Sequence, residues 1–311
     1  MQVDKAAPKR PALRYYGGKW RLAPWIINHF PIHRIYVEPF GGAASVLLQK
    51  PRSYAEIYND LDREVVNVFS VLRDPATAVE LEHLLRLTPF SRDDFNAAYE
   101  LCDDPIEQAR RTIFKSFAGY GSDSIHRRKA SDSSFKFKEH SNMFTAPCGF
   151  NNRPSMHPAP TGFRCDAHRS GTMPAHDWAN YPDHIYSFVE RLQGVVIENR
   201  PAAKVIKCFD SKDTLFYVDP PYVKSSRRRK DHGYAHEMSD EDHEQLASQL
   251  HGVQGMVILS AYPCELYNRL FHDWRKYERK STSQNGDPGK EVLWISLNVP
   301  EQQFQLFGDH Q

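Results

Sequence analysis

The sequence predicts an α/β domain built on a largely parallel sheet and interrupted by an inserted helical and loop-rich region. Three observations carry that expectation. A short β-rich run, Ile35 to Pro39, stops at glycines and is followed by an apolar stretch and a second short strand, the order of a βαβ unit. Brief apolar runs recur at 195–197, 215–218 and 256–259 with helical patterns around them, as buried strands of a parallel sheet do. Between these two sets lies 121–182, rich in Ser, His, Pro, Asn, Arg and Gly and poor in Leu, Val and Ile. A compact core does not hold such a stretch unless it serves function.

Met1 to Ala12 is polar and Pro-containing, without the apolar centre of a signal peptide. Ile35 to Glu38 is a strand by its β-branched and aromatic content, and Pro39 with Gly41 and Gly42 breaks it. Ala43 to Gln49 reads as the opening of a helix. Tyr54 to Tyr58 reads as the next strand, ending at Asn59-Asp60, and 65–72 has helical spacing. Over 76–120, Leu81, Leu84, Leu85, Phe95, Tyr99, Ile113, Phe114 and Phe117 recur at helical intervals. After the polar stretch, 186–192 is helical and 195–197 and 215–218 are buried strands. Asp240 to Leu250 is an amphipathic, sheet-covering helix with acids at its start. A strand at 256–259 and a helix at 265–274 follow. Tyr277 to Ser281 and Val292 to Leu297 then pair as a hairpin through Asn285-Gly286 and Pro288-Gly289. The organisation expected is one sheet domain, 13–75 with 185–300, an insertion at 76–184, and flexible tails at 1–12 and 301–311.

Several classes are excluded by composition. No run approaches the roughly 20 apolar residues of a membrane span, so a cytoplasmic chain without a membrane partner is expected. Five cysteines, Cys102, Cys148, Cys165, Cys208 and Cys264, include no C-x-x-C pair and give no disulfide framework. Cys148, His157, Cys165 and His168 fit no zinc-finger spacing, and no metal is expected. Lys plus Arg is 40 against 39 for Asp plus Glu, a net charge of +1 that by itself announces no nucleic acid.

Two motifs carry chemistry. Val37-Glu-Pro-Phe-Gly-Gly-Ala-Ala-Ser45 sits at a strand end, where glycines let a ligand approach the backbone. It lacks the Gly-Lys-Ser/Thr of a phosphate loop, and Glu38 would repel phosphate while suiting a cationic group. Asp60, about 20 residues on, has the spacing of an acid that accepts ribose hydroxyls. Together these fit an adenosyl ligand without a pyrophosphate; a capping turn and a solvated Asp would give the same letters. The second motif, Asp219-Pro-Pro-Tyr222, follows a buried strand directly. Prolines fix the backbone and donate no N–H, leaving carbonyl acceptors beside a carboxylate and an aromatic ring. Asp219 with a Pro carbonyl can accept both hydrogens of an exocyclic amine while Tyr222 stacks on its ring.

Tyr15-Tyr-Gly-Gly-Lys19, Glu38-Pro-Phe-Gly-Gly42, Asn59-Asp60, Asp219-Pro-Pro-Tyr222 and Glu291-Val-Leu-Trp294 occur in an order that resembles the Dam-like, alpha-group adenine-specific DNA methyltransferases. The segment 234–259 is similar to members found in phages and prophages. The resemblance covers 13–75 and 185–297 and is weak across 121–182, where target specificity lies in that family. It implies a Rossmann-like methyltransferase sheet, S-adenosylmethionine as methyl donor, transfer to the N6 amine of adenine, and double-stranded DNA as partner, with a monomer expected. It places Tyr15, Lys19, Glu38, Phe40, Gly42, Asp60 and Asp219 at the donor site, and Asp219, Pro220, Pro221 and Tyr222 at the reacting base. Ala44 stands where the family's last motif glycine is usual. Cytosine or an RNA adenine as acceptor, or a non-catalytic DNA-binding relative, are the alternatives.

The neutral net charge hides segregation. Lys224, Arg227, Arg228, Arg229 and Lys230 gather just after Tyr222, and Arg127, Arg128 and Lys129 fall in the insertion, with Lys136, Lys138, Arg153, Arg164 and Arg169 nearby. The run at 224–230 is expected to meet phosphates flanking the reacting base; the one at 126–129 is equally a solvated loop.

Overall fold

Alternating side chains on the strands define two cores, one on each face of a single sheet. Tyr36, Leu215, Tyr217, Ile258, Leu293 and Ile295 face one apolar cluster. Val37, Phe216, Val218, Val257, Leu259, Val292 and Trp294 face the other, as the period-2 geometry of a strand requires. The structure, a computed structural model, describes residues 7–119, 124–125, 162–164, 173–227, 234–282 and 288–300.

Among these, the strands are β1 (Ile35–Glu38), β2 (Ala55–Asn59), β3 (Val195–Glu198), β4 (Thr214–Val218), β5 (Met256–Ala261), β6 (Arg275–Thr282) and β7 (Pro288–Ile295). The sheet order is β3-β2-β1-β4-β5-β7-β6. The first five strands run parallel, and β7 is antiparallel to both β5 and β6. Strand order reverses between β1 and β4, which opens a crevice at their carboxyl ends. Every residue of β4 and β5 is buried; both strands are covered on two faces, which is why they read as unbroken apolar runs.

The helices are α1 (Ala23–Ile27), α2 (Arg63–Arg73), α3 (Pro75–Leu87), α4 (Arg92–Ala97), α5 (Pro105–Ala118), α6 (Pro174–Ala179), α7 (Ile185–Leu192), α8 (Ala202–Phe209), α9 (Asp240–Gly252) and α10 (Glu265–Leu270). Local chemistry sets their starts. Asp62, Asp74 and Asp104 each accept backbone N–H groups as N-caps, and Ser239 with Asp242 forms a capping box for α9. Asp74 also ends α2, so α2 and α3 are divided by one residue. Buried residues of α2, α3, α5 and α7 share one continuous cluster with the sheet. Those of α8, α9 and α10 cover the other face.

Several expectations need correction. Residues 43–49 form turns rather than a helix. Gly42 at φ 46° and Ala44 at φ 51° are left-handed and interrupt the helical ladder. The left-handed backbone at Ala44 is also why glycine suits that motif position. The stretch 76–120 divides into α3, α4 and α5, and the helix begun at Glu265 ends at Leu270 instead of Trp274. Helices α1 and α8 had no counterpart in the sequence reading. Within the polar stretch, α6 forms because Trp178 is buried and its Nε1 donates to the Thr88 carbonyl at 2.9 Å. No helix among the described residues is long and apolar enough to cross a membrane.

Candidate active site

Three acidic residues meet at the crevice because β1, β2 and β4 are parallel neighbours. Glu38 ends β1, Asp60 follows β2 and Asp219 follows β4. They line one cavity of about 370 Å³ with Tyr15, Lys19, Phe40, Gly42 and Pro221. Residues 234–238, the opening of α8 and one side of α9 also line it.

The glycine turn is held from β2. Gly41 donates to the Asn59 carbonyl at 2.7 Å, and Asn59 Nδ2 donates to the Pro39 carbonyl at 2.8 Å. A Cβ on Gly41 would lie 2.2 Å from Tyr58 Cε2, so only glycine fits. The Tyr58 hydroxyl donates to the Gly42 carbonyl at 2.7 Å. Asp60 accepts from the backbone N–H of Gly42 and of Asp62, each at 2.8 Å. Burial pushes the Asp60 carboxyl above its ordinary value against the pull of those two bonds. Glu38 accepts from the Tyr36 hydroxyl at 2.6 Å and the Leu47 N–H at 2.8 Å, both on Oε1. Its buried Oε2 has no hydrogen-bond partner, and burial pushes the carboxyl up to about 7. A buried acid with one open oxygen in a cavity wall is suited to a cationic or hydrogen-donating ligand group.

Behind this wall lies a charged cluster. Lys19 is 4% exposed. Its Nζ donates to the Gly17 carbonyl at 2.8 Å, pairs with Asp219 at 2.9 Å and with Glu291 of β7 at 3.8 Å, and sits 4.7 Å from the centre of the Tyr222 ring. Burial alone would lower the Lys19 ammonium, but Asp219 and Glu291 outweigh it and hold it above its ordinary value. Ser260 Oγ donates to the other Asp219 oxygen at 3.1 Å and bonds the Tyr217 hydroxyl at 2.9 Å. The Tyr222 hydroxyl donates to Glu291 at 2.7 Å. Burial raises the Asp219 carboxyl despite Lys19, and raises Glu291 to about 7. One lysine therefore serves two carboxylates, the buried Glu291 and the partly exposed Asp219, and the aromatic ring is tied into the same cluster.

The structure thus gathers Tyr15, Lys19, Glu38, Phe40, Gly42, Asp60 and Asp219 at one cavity, with buried Pro220 and Tyr222 behind Asp219. Of the basic residues, Lys224 is exposed. Arg227 is not a surface cation. It is 5% exposed, its Nε donates to the Tyr222 carbonyl at 2.7 Å, and its guanidinium pairs with Glu237 at 2.6 Å. Arg164 is also buried, with Nη1 donating to the Phe117 carbonyl at 3.2 Å. A guanidinium satisfied inside the fold is not available to a phosphate. Arg127, Arg128, Lys129, Arg228, Arg229 and Lys230 lie outside the described residues, as do Lys136, Lys138, Arg153, Arg169, Cys148, His157, Cys165 and His168.

Sequence reasoning missed Ser260, Glu237 and the role of Glu291. Glu291 carried a signal, an acid directly before the apolar run 292–295. Ser260 gave none.

A family model described as D12 class N6 adenine-specific DNA methyltransferase matches residues 15–137 and 175–284. The matched stretches leave out 138–174, inside the polar stretch, and stop short of Glu291. A DNA adenine methylase of Haemophilus influenzae (strain ATCC 51907 / DSM 11121 / KW20 / Rd) is 24% identical over 302 residues, covering 91% of this chain and 90% of that protein.

Proposed function

Because the chain belongs to the D12 class N6 adenine-specific DNA methyltransferases and is an enzyme of that activity, we propose that its cavity takes S-adenosylmethionine and that Asp219 and Pro220 present the adenine amine to it. The observation that carries this reading is the convergence of Glu38, Asp60 and Asp219 on one cavity where the strand order reverses. The Rossmann-like assignment of the sheet rests on that same reversal. The residues present suit the donor. Gly41 and Gly42 line the cavity, Asp60 suits ribose hydroxyls, and the open Glu38 Oε2 suits an ammonium. Bound there, the donor supplies an electrophilic methyl group on a sulfonium.

The chain's own work is positioning. An adenine amine is a weak nucleophile because its lone pair is delocalised into the ring. Hydrogen bonds from its two hydrogens to Asp219 and to the Pro220 carbonyl favour a pyramidal nitrogen with an available lone pair. Correct placement of the reactants is worth up to about 7–11 kcal/mol. Lys19 and Ser260 hold the Asp219 oxygens in place beforehand. The target base sits inside duplex DNA, so it must be flipped out at a cost of a few kcal/mol. Tyr222 is the ring we assign to stack on it. Lys19, Tyr234 and Tyr262 pack around that ring.

We assign target recognition to 76–184, and phosphate contact to Lys224 together with Arg127, Arg128, Lys129, Arg228, Arg229 and Lys230. The exposure of Lys224 close to Tyr222 supports this. The likeness of 234–259 to phage and prophage members supports a phage-type enzyme.

Methylation-sensitive sequencing of DNA from cells expressing the chain tests the reading. N6-methyladenine should appear within one short motif and vanish with Asp219→Ala, while DNA affinity stays within about tenfold, as a lost catalytic contact predicts. Methyl groups only in RNA, or full activity in Asp219→Ala, would overturn it.

A further inference from the structure

Arg227 and Glu237 lie ten positions apart and meet beside Tyr234. The guanidinium reaches in two directions. Nε donates to the Tyr222 carbonyl at 2.7 Å, and Nη2 bonds the same oxygen. Nη1 and Nη2 donate to Glu237 at 2.8 and 2.6 Å. Glu237 Oε1 also accepts the Tyr234 N–H at 2.7 Å. The Arg227 guanidinium lies 5.0 Å from the centre of the Tyr234 ring. That ring packs edge-on against Tyr16 at 5.2 Å and Tyr222 at 6.4 Å. Gly17, at φ 78°, leaves the space, since a Cβ there would come within 2.8 Å of the Tyr234 hydroxyl. Tyr234, Glu237 and Gly17 all line the donor cavity. One planar fork therefore joins the turn that presents the base to the segment that walls the donor cavity.

We propose that the Arg227–Glu237 pair is a positioning element that seats Tyr234 across the donor cavity and pins the Asp219–Tyr222 turn, so that donor binding and base presentation share one support. This rests on the donor assignment above. It gives Arg227 a different role from that of exposed Lys224, with no phosphate contact of its own. Geometry requires arginine here. A lysine can keep the charge toward Glu237 but cannot bond the Tyr222 carbonyl and both Glu237 oxygens from one plane.

The test uses the full chain with Arg227→Ala, Arg227→Lys and Glu237→Gln. Affinity for S-adenosylhomocysteine is measured by calorimetry, and affinity for a DNA duplex across a salt series. Arg227→Ala and Glu237→Gln should each weaken the nucleoside ligand about tenfold or more, and Arg227→Lys by less. The double variant Arg227→Ala with Glu237→Gln should be no weaker than the poorer of those two singles, because both remove one device. The slope of log affinity for DNA against log salt should match wild type. Nucleoside affinity within twofold of wild type in both single variants would overturn the proposal. So would a slope flattened by about 0.9 in Arg227→Ala, the signature of one lost phosphate contact. If Arg227→Ala does not fold, Glu237→Gln, which keeps the side chain's volume, decides alone. Failure of the wild-type chain to bind the nucleoside would instead sink the donor assignment.

Discussion

Glu291→Gln separates the shape of the Lys19 cluster from its charge. The amide keeps a carbonyl oxygen to accept the Tyr222 hydroxyl, now bound by Glu291 at 2.7 Å, while the negative charge 3.8 Å from Lys19 disappears. Burial lifts the Glu291 carboxyl from 4.5 to about 7, with Lys19 opposing and Asp219 reinforcing the rise. A carboxyl raised in the folded state contributes most to stability when neutral, below its unfolded value, and that contribution is lost as pH climbs to about 7. At about 1.36 kcal/mol per pH unit the loss approaches ~3 kcal/mol. Glutamine does not titrate. Wild-type stability relative to Glu291→Gln should therefore fall by about that amount between about pH 4.5 and pH 7.5, then level off. Urea unfolding of both proteins across this range measures the difference. A stability difference that stays level with pH would refute the reasoning.

Lys19→Met leaves Asp219 and the buried Glu291 without their cation. It should cost about 3–5 kcal/mol near pH 8 and less near pH 5, where Glu291 is protonated, as read by unfolding at both values. Gly41→Ala drives a methyl into the Tyr58 ring. Overpacking of this kind should cost about 1–3 kcal/mol and weaken donor binding through the disturbed Gly42 turn, as thermal melts and titration of the nucleoside would show. Lys224→Ala should weaken DNA binding alike across sequences and reduce the salt slope by about 0.9, with melting unchanged. An unaltered slope would remove Lys224 from the DNA surface.

The parts of the site legible in the sequence were those whose chemistry is local. The Glu38-to-Ser45 turn, Asp60 and Asp219-Pro-Pro-Tyr222 each announce themselves within a few residues, at the ends of strands whose apolar runs are plain. The expected helix at 43–49 failed because apolar content is silent about φ, and left-handed Gly42 and Ala44 forbid it. Arg227 was misplaced for a similar reason. A run of basic letters does not reveal that one of them folds inward onto Glu237 and the Tyr222 carbonyl.

By itself the sequence determined which segments are strands, where their polar ends fall, and which chemistry those ends carry, because alternation and turn composition act over a few residues. Only the tertiary structure decided that these ends meet. The order β3-β2-β1-β4-β5-β7-β6 puts the tips of β1, β2 and β4 at one edge, and the antiparallel β7 brings Glu291 beside Lys19 and Tyr222. Lys19 and Asp219, 200 positions apart, become an ion pair at 2.9 Å by that ordering. Periodicity tells which face a residue takes; pairing between distant strands tells whom it meets.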